Sequence, residues 1–253
     1  MNMFCDSHCH PSSSRFNSTL DRTIQEAKNS GLLYVIGVAE GYEDSVRLLR
    51  LSDEYPEIRP CLGIHPWNVH NENVDEVENL IESSHKRIVG IGEIGLDFAQ
   101  STLERNPNMK ELQILVFQRQ LQLALDYGLP VNIHSRYAGH YCTDTAISMG
   151  LKKVHMHAYD GSGKSIRKGL AAGFSYSIPS SSGSSQVFQR LIAQVPIDRM
   201  LLETDSPDMG VGDEVNTFSN CHLAADAIHT MKAIPLEMIY EQTTKNCVSL
   251  YSL

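Results

Sequence analysis

Ile91-Gly92-Glu93-Ile94-Gly95-Leu96-Asp97-Phe98 continues an apolar run that begins at Ile88, and it carries one carboxylate, Glu93, into a glycine-flanked turn. A carboxylate in such a strand is costly to bury without a positive partner, which is either a cationic side chain or a metal ion. The stretch alone leaves both open. What lies at the ends of the neighbouring elements decides between them.

Downstream, Asn106-Pro107-Asn108 precedes a helix predicted over 109–127 and closed by Gly128. Its Leu112, Leu115, Val116, Gln120, Leu123 and Leu125 form a mostly apolar stripe expected to face the core. Strands are predicted at 129–134, 152–157, 173–179 and 199–205, the last stopped by Pro207. Upstream, the pattern gives strands at 3–8, 32–39 and 58–64, with 87–93 as the fourth. Helical sequence fills 21–30, 42–54 and 74–83, and 224–232 and 235–251 close the chain. Strand and helix alternate without a break in composition or an internal repeat. At 253 residues this predicts one domain over 1–253, a TIM-type (β/α)8 barrel.

Catalytic groups of such barrels sit at the C-terminal ends of the strands. With a side-chain period of two, Asp6, His8 and His10 share a face of the first strand, as do Asn132, His134 and Arg136 of the fifth. His155 and His157 share a face of the sixth, and Glu203 and Asp205 a face of the eighth. The strand ends therefore collect His8, His10, His65, Glu93, His134, His157 and Asp205. Four imidazoles and two carboxylates, leaving out His65, exceed the needs of one tetrahedral zinc and suit two ions sharing a ligand. Glu93 is the natural bridge. Asp6 is expected to orient a histidine from behind, and His155 to be a buried hydrogen-bonded residue rather than another ligand.

Composition narrows the function classes. Hydrophobic content of 42% and charged content of 20% suit a globular protein, and the net charge of -9 rules out a global basic field for nucleic acid. Any such binding needs a local basic or metal-charged site. The six cysteines include no C-x-x-C pair, and residues 1–10 lack a signal-peptide profile. No apolar run approaches the roughly 20 residues of a membrane span. The expectation is a cytoplasmic protein, with a nuclear pool also allowed, no membrane and no obligatory protein partner. Gly161-Ser162-Gly163-Lys164 opens a helix whose N–H groups suit a phosphate, but without Walker spacing a simple turn is favoured. The Ser180–Ser185 tract reads as a βα loop.

Asp6-Ser7-His8-Cys9-His10, Gly63-Ile64-His65-Pro66, Gly92-Glu93-Ile94-Gly95-Leu96-Asp97, Ile133-His134-Ser135-Arg136 and Glu203-Thr204-Asp205-Ser206-Pro207 resemble the signatures of the TatD metal-dependent deoxyribonucleases. The resemblance runs through nearly the whole chain and is strongest to the vertebrate subgroup of TatD DNase domain-containing protein three. It implies a barrel of the amidohydrolase-like kind and hydrolysis of DNA, most simply as an exonuclease on single-stranded ends. Carried over by residue, it implies His8, His10, Glu93 and Asp205 on one metal, and Glu93, His134 and His157 on the other. His65 and Arg136 would lie beside the substrate phosphate, with Glu203 behind the metals. Two departures stand out: His155, where the family usually has an apolar residue, and the acidic segment 211–216, where the family generally carries an arginine and an Asn-x-Pro-type segment after the position of Pro207. The latter is expected to repel a nucleic-acid backbone.

The expected chemistry is two-metal phosphodiester hydrolysis, with Asp205 as first choice for proton transfer and Glu203 as second. Arg136 and, from its loop, Lys164 are expected to neutralise phosphate oxygens, and Trp67 either stacks on a base or simply packs. Imidazole ligands suit Zn2+, whereas the family's activity implies Mg2+, so Zn2+, Mg2+ and Mn2+ all remain open. A different binuclear hydrolase, acting on small amides, lactones or esters, is the alternative, favoured by the acidic segment and net charge. A non-catalytic binding barrel is a third reading, opposed by retention of the full ligand set.

Overall fold

The eight apolar segments become eight parallel strands, hydrogen-bonded in sequence order: β1 (Phe4–Cys9), β2 (Leu32–Val38), β3 (Ile58–Leu62), β4 (Gly90–Gly95), β5 (Val131–His134), β6 (Val154–Met156), β7 (Ser175–Pro179) and β8 (Met200–Glu203). This computed structural model describes residues 2–210 and 215–253. Helices α1 (Leu20–Asn29), α2 (Tyr42–Glu54) and α3 (Val74–Ser84) connect the first four strands. They are followed by α4 (Gln100–Leu103), α5 (Met109–Tyr127), α6 (Gly139–Ser148), α7 (Gly163–Ala172) and α8 (Gln186–Gln194), and then α9 (Cys221–Lys232) and α10 (Leu236–Tyr251). The alternation yields this arrangement because each parallel crossover needs a helix, and each helix buries its apolar stripe on the sheet.

The seam between β8 and β1 shows how the barrel closes. Asp205 N–H donates to His8 O at 3.0 Å, and His10 N–H to Ser206 O at 2.7 Å. Between them, Asp6 Oδ1 accepts the Thr204 N–H at 3.0 Å while Oδ2 accepts the Thr204 hydroxyl. Oδ1 also lies 3.3 Å from the His8 N–H. Asp6 thus joins backbone across the seam and does not orient an imidazole, contrary to the sequence expectation. Burial raises its carboxyl to about 8, against the pull of the Thr204 hydrogen bonds.

On α5 the limits match the expectation and the buried face matches in part, with Val116, Gln120 and Leu123 of the expected stripe buried. Leu115 is 55% and Leu125 37% exposed, whereas Gln113, Phe117, Gln120 and Leu121 are buried. The glutamines are tolerated there because each amide pairs with a loop backbone. Gln113 Oε1 accepts the Asp97 N–H at 2.9 Å and its Nε2 donates to Asp97 O at 3.0 Å. Gln120 does the same for Ile64, at 2.7 and 3.3 Å. One helix therefore holds the loops after β3 and β4, which carry His65 and Asp97.

Ser180–Gly183 forms a short 3-10 turn. Ser162 caps α7 through Ser165 N, and Lys164 is exposed away from the strand-end cavity, which supports the simple-turn reading of that glycine loop. Of the acidic segment, residues 211–214 lie outside the described residues. Asn216 is buried, and its Nδ2 donates to Thr204 O at 2.7 Å and Asp208 O at 2.9 Å. All six cysteines are buried free thiols. Among the described residues no helix is long and apolar enough to cross a membrane.

Candidate metal centre

Glu93 reaches the barrel axis because its flanking glycines let β4 press against β5. A Cβ on Gly92 would fall 2.6 Å from Asn132 Cβ, and one on Gly95, whose φ is +144°, 2.0 Å from His134 O. The carboxylate is 2% exposed. Its Oε2 lies 3.6 Å from both His8 Nε2 and His10 Nε2. Its Oε1 lies 2.8 Å from His134 Nδ1, 3.4 Å from His65 Nε2 and 3.9 Å from His157 Nε2. Asp205 Oδ1 completes the first side, 3.4 Å from His8 Nε2 and 3.3 Å from His10 Nε2. The Asp205 backbone takes a left-handed φ of +57°, a conformation held by its N–H bond to His8 O.

The other five sequence-named ligands therefore gather around Glu93: His8 and His10 at one oxygen with Asp205 beside them, and His134 and His157 at the other. His65 joins them: His65, Glu93 and His134 form a compact donor group, as do His8, His10 and Glu93. His157 is stacked on His8, with centroids 3.5 Å apart. The donor set fits divalent cations on its own terms. His8 Nε2 is buried without any hydrogen-bond partner, and nitrogen and carboxylate atoms at 3.3 to 3.6 Å converge without bonding one another. So many imidazoles suit zinc or another transition ion better than magnesium.

The charges reinforce one another. Burial alone would raise the Glu93 and Asp205 carboxyls, but the surrounding imidazoles outweigh it and hold both well below the usual carboxylate range. Burial opposes protonation of His10 and His134, yet Asp205 lifts His10 to about 10, and Asp97 with Glu93 lifts His134 to about 9. His65 moves the other way, down to about 4, through burial. Burial also depresses His155.

Behind the candidate ligands runs a hydrogen-bond chain whose direction chemistry dictates. Glu203 is fully buried and can only accept: from Ala158 N–H at 3.1 Å, from His157 Nδ1 at 2.9 Å and from the Ser177 hydroxyl at 2.5 Å. Having donated, Ser177 accepts from His155 Nε2 at 2.6 Å, so His155 Nδ1 accepts the Tyr251 hydroxyl at 2.8 Å. Tyr251 in turn accepts from Asn132 Nδ2 at 3.0 Å, an amide orientation also set by Ser7 O at 3.3 Å. Asn132 Oδ1 then takes the Nδ1 proton of His8 at 2.9 Å. His8 and His157 are both left with Nε2 bare and turned toward the carboxylates.

The strand ends open into a cavity of about 480 Å³. His10, His65, Trp67, Glu93, His134, Arg136, His157 and Asp205 line it, and Arg136 is the one Lys or Arg among the lining residues. Glu203 does not line it. Trp67 packs edge-on against His65 at 4.6 Å and donates its indole N–H to Asp97 Oδ2 at 2.6 Å. Asp97 also meets His134 Nε2 at 3.3 Å. The sequence reading missed the roles of Asp97, Asn132 and Tyr251. The first lay inside a quoted motif, and Asn132 shared the inward face with His134, but nothing local marks Tyr251, which arrives from the last helix.

The family model described as TatD related DNase matches residues 5–252. A human protein named Deoxyribonuclease TATDN3 is 35% identical over 257 residues, covering 97% of this chain and 93% of that one. A Dickeya dadantii protein named 3'-5' ssDNA/RNA exonuclease TatD is 28% identical over 204 residues, covering 77% of this chain and 75% of its own. The solved structure of YJJV, a TatD homolog from Escherichia coli K12, superposes with a TM-score of 0.90 at 24% identity, covering 99% and 98% of the two chains. With the family model spanning nearly every residue from β1 to the end of α10, this chain belongs to the TatD-related DNase family.

Proposed function

We propose that the chain is a metal-dependent deoxyribonuclease that hydrolyses phosphodiester bonds at single-stranded DNA ends, using two divalent ions. The observation that carries this reading is Glu93, one oxygen toward His8, His10 and Asp205, the other toward His134, His65 and His157. His8, His10, Glu93 and Asp205 would hold one ion; Glu93, His134 and His157 the other, with His65 as a further nitrogen within reach rather than a phosphate contact. When bound, such ions supply an activated water and neutralise charge on the phosphate. Asp205, 14% exposed on the cavity wall, is placed to take a proton from an attacking water. Glu203 is the wrong residue for that task, since its oxygens are occupied behind His157, and it fixes the ligand's tautomer instead. Arg136 stands on the wall to pair with a phosphate oxygen. The name of the Dickeya dadantii relative supports single-stranded ends as substrate.

The test is cleavage of a single-stranded oligonucleotide by protein loaded in turn with Zn2+, Mn2+ and Mg2+. Glu93→Ala should cost at least about 10²-fold in kcat. Undiminished cleavage by that variant rejects the assignment.

One observation favours a second reading. Glu40, Asp160 and Asp208 share the cavity with the single cation Arg136, a balance better suited to a small neutral ester, lactone or amide than to a polyanion. Rapid turnover of such a compound without oligonucleotide cleavage would decide for it.

A further inference from the structure

We propose that single-stranded nucleic acid runs from the metal cavity along a strip of aromatic rings, each overlain by a cation, formed by the loops after β3, β4 and β5 with the first turns of α5 and α6. This rests on the nuclease reading and adds the path of the strand. At the cavity wall, Arg105 lies 5.4 Å over Trp67. Next to it, the Phe98 N–H donates to Arg136 O at 3.0 Å, which ties the wall to the outer part of the strip. There Phe98 and Tyr141 meet edge-on at 5.3 Å, and Lys110 sits 4.9 Å over the first and 5.4 Å over the second. Tyr137, below Arg136 at 5.9 Å, is 69% exposed and Tyr141 42%.

Two features argue that these side chains serve a ligand. Among the described residues, Arg105, Lys110 and Arg136, like most of the Lys and Arg side chains, form no ion pair; what sets them apart is that they lie over aromatic rings carried by adjoining loops. Exposed aromatic rings beside unpaired cations are the elements of a sequence-tolerant single-strand site: the rings stack bases and the cations follow the phosphates. The distribution of charge also selects this side. A protein of net charge -9 attracts a polyanion only locally, and Glu40 and Asp208 line the same cavity where they repel a backbone. The acids beside the strip are in part taken up by neutral donors: Asp97 accepts the Trp67 indole N–H at 2.6 Å, Glu104 the Gln100 amide at 2.7 Å and Asp160 the Tyr137 N–H at 3.1 Å.

The experiment compares metal-loaded wild type with Tyr141→Ala, Tyr137→Ala and Lys110→Glu, all at exposed positions, on a dinucleotide and on a longer single-stranded oligonucleotide. Wild type should show a much lower KM for the longer substrate. Each tyrosine variant should raise that KM about tenfold, the effect of losing one base stack, so that the ratio between the two substrates collapses. Lys110→Glu should also flatten the salt dependence of the longer substrate. Equal KM changes on both substrates, or none, overturn the strip while leaving the nuclease reading intact. Should neither substrate be cleaved, the nuclease reading fails, and anisotropy of the labelled oligonucleotide in chelator still decides the strip: it stands if the variants weaken binding about tenfold and falls if wild type does not bind.

Discussion

Glu93 owes its setting to neighbours that disagree about protons. His10 and His134 are held protonated to about 10 and about 9, far above the ordinary histidine value of 6.5. A group whose pKa is raised on folding contributes stability below its ordinary value and loses it as pH rises through the folded one. The metal-free protein should therefore lose thermal stability as pH climbs from 6.5 to about 10, while the metal-loaded protein, with those protons already displaced, should not. The same logic requires that metal uptake near neutral pH release protons. Calorimetry in buffers of different ionisation enthalpy reads this directly, and uptake without proton release would contradict the proposed ligation by His10 and His134. The candidate ligands were legible in the sequence because strand parity alone puts His8, His10, Glu93, His134, His157 and Asp205 on inward faces at one end. Asp6 shares that parity yet bonds Thr204, a partner across the seam that no local pattern reveals.

Elements differ in how far their sequence speaks for their packing. The strands are largely apolar segments that carry their polar groups mainly on the inward face, and all eight lie within a few residues of their predicted limits. On α5 the limits followed from Asn108 and Gly128, and the buried face only in part: Val116, Gln120 and Leu123 were expected there, Gln113 was not. Gln113 and Gln120 are core residues by virtue of backbone partners in other loops, while Leu115 and Leu125 face solvent. Helix α10 is the sharper case: its last residue, Tyr251, enters the hydrogen-bond chain between His155 and Asn132. Tyr251→Phe removes two links and leaves His157 on Glu203, so it should weaken metal binding at the His8 side by about 10- to 100-fold and spare the other. Nitrogen-15 spectra of the histidines should show His8 losing its single tautomer and His157 keeping it. A lowered melting temperature with both tautomers unchanged would make Tyr251 a packing residue only.

Across the whole molecule, the barrel gathers groups that are distant in sequence because every parallel strand delivers its end to the same rim. That much follows from strand and helix alternation. The division of the candidate ligands between the two Glu93 oxygens, the hydrogen-bond chain behind them and the proposed aromatic strip depend on which loops meet, and loop contacts such as Phe98 with Arg136 leave no periodic trace. Among the described residues, Glu93 is the carboxylate that meets both groups of candidate ligands. The direct measurement is a metal titration, read by calorimetry and elemental analysis, of wild type, Glu93→Gln and His134→Ala. The account predicts two ions in wild type, loss of affinity at both sites together in Glu93→Gln, and loss chiefly at one in His134→Ala. A single ion in wild type, or Glu93→Gln emptying one site while the other keeps its affinity, would contradict it.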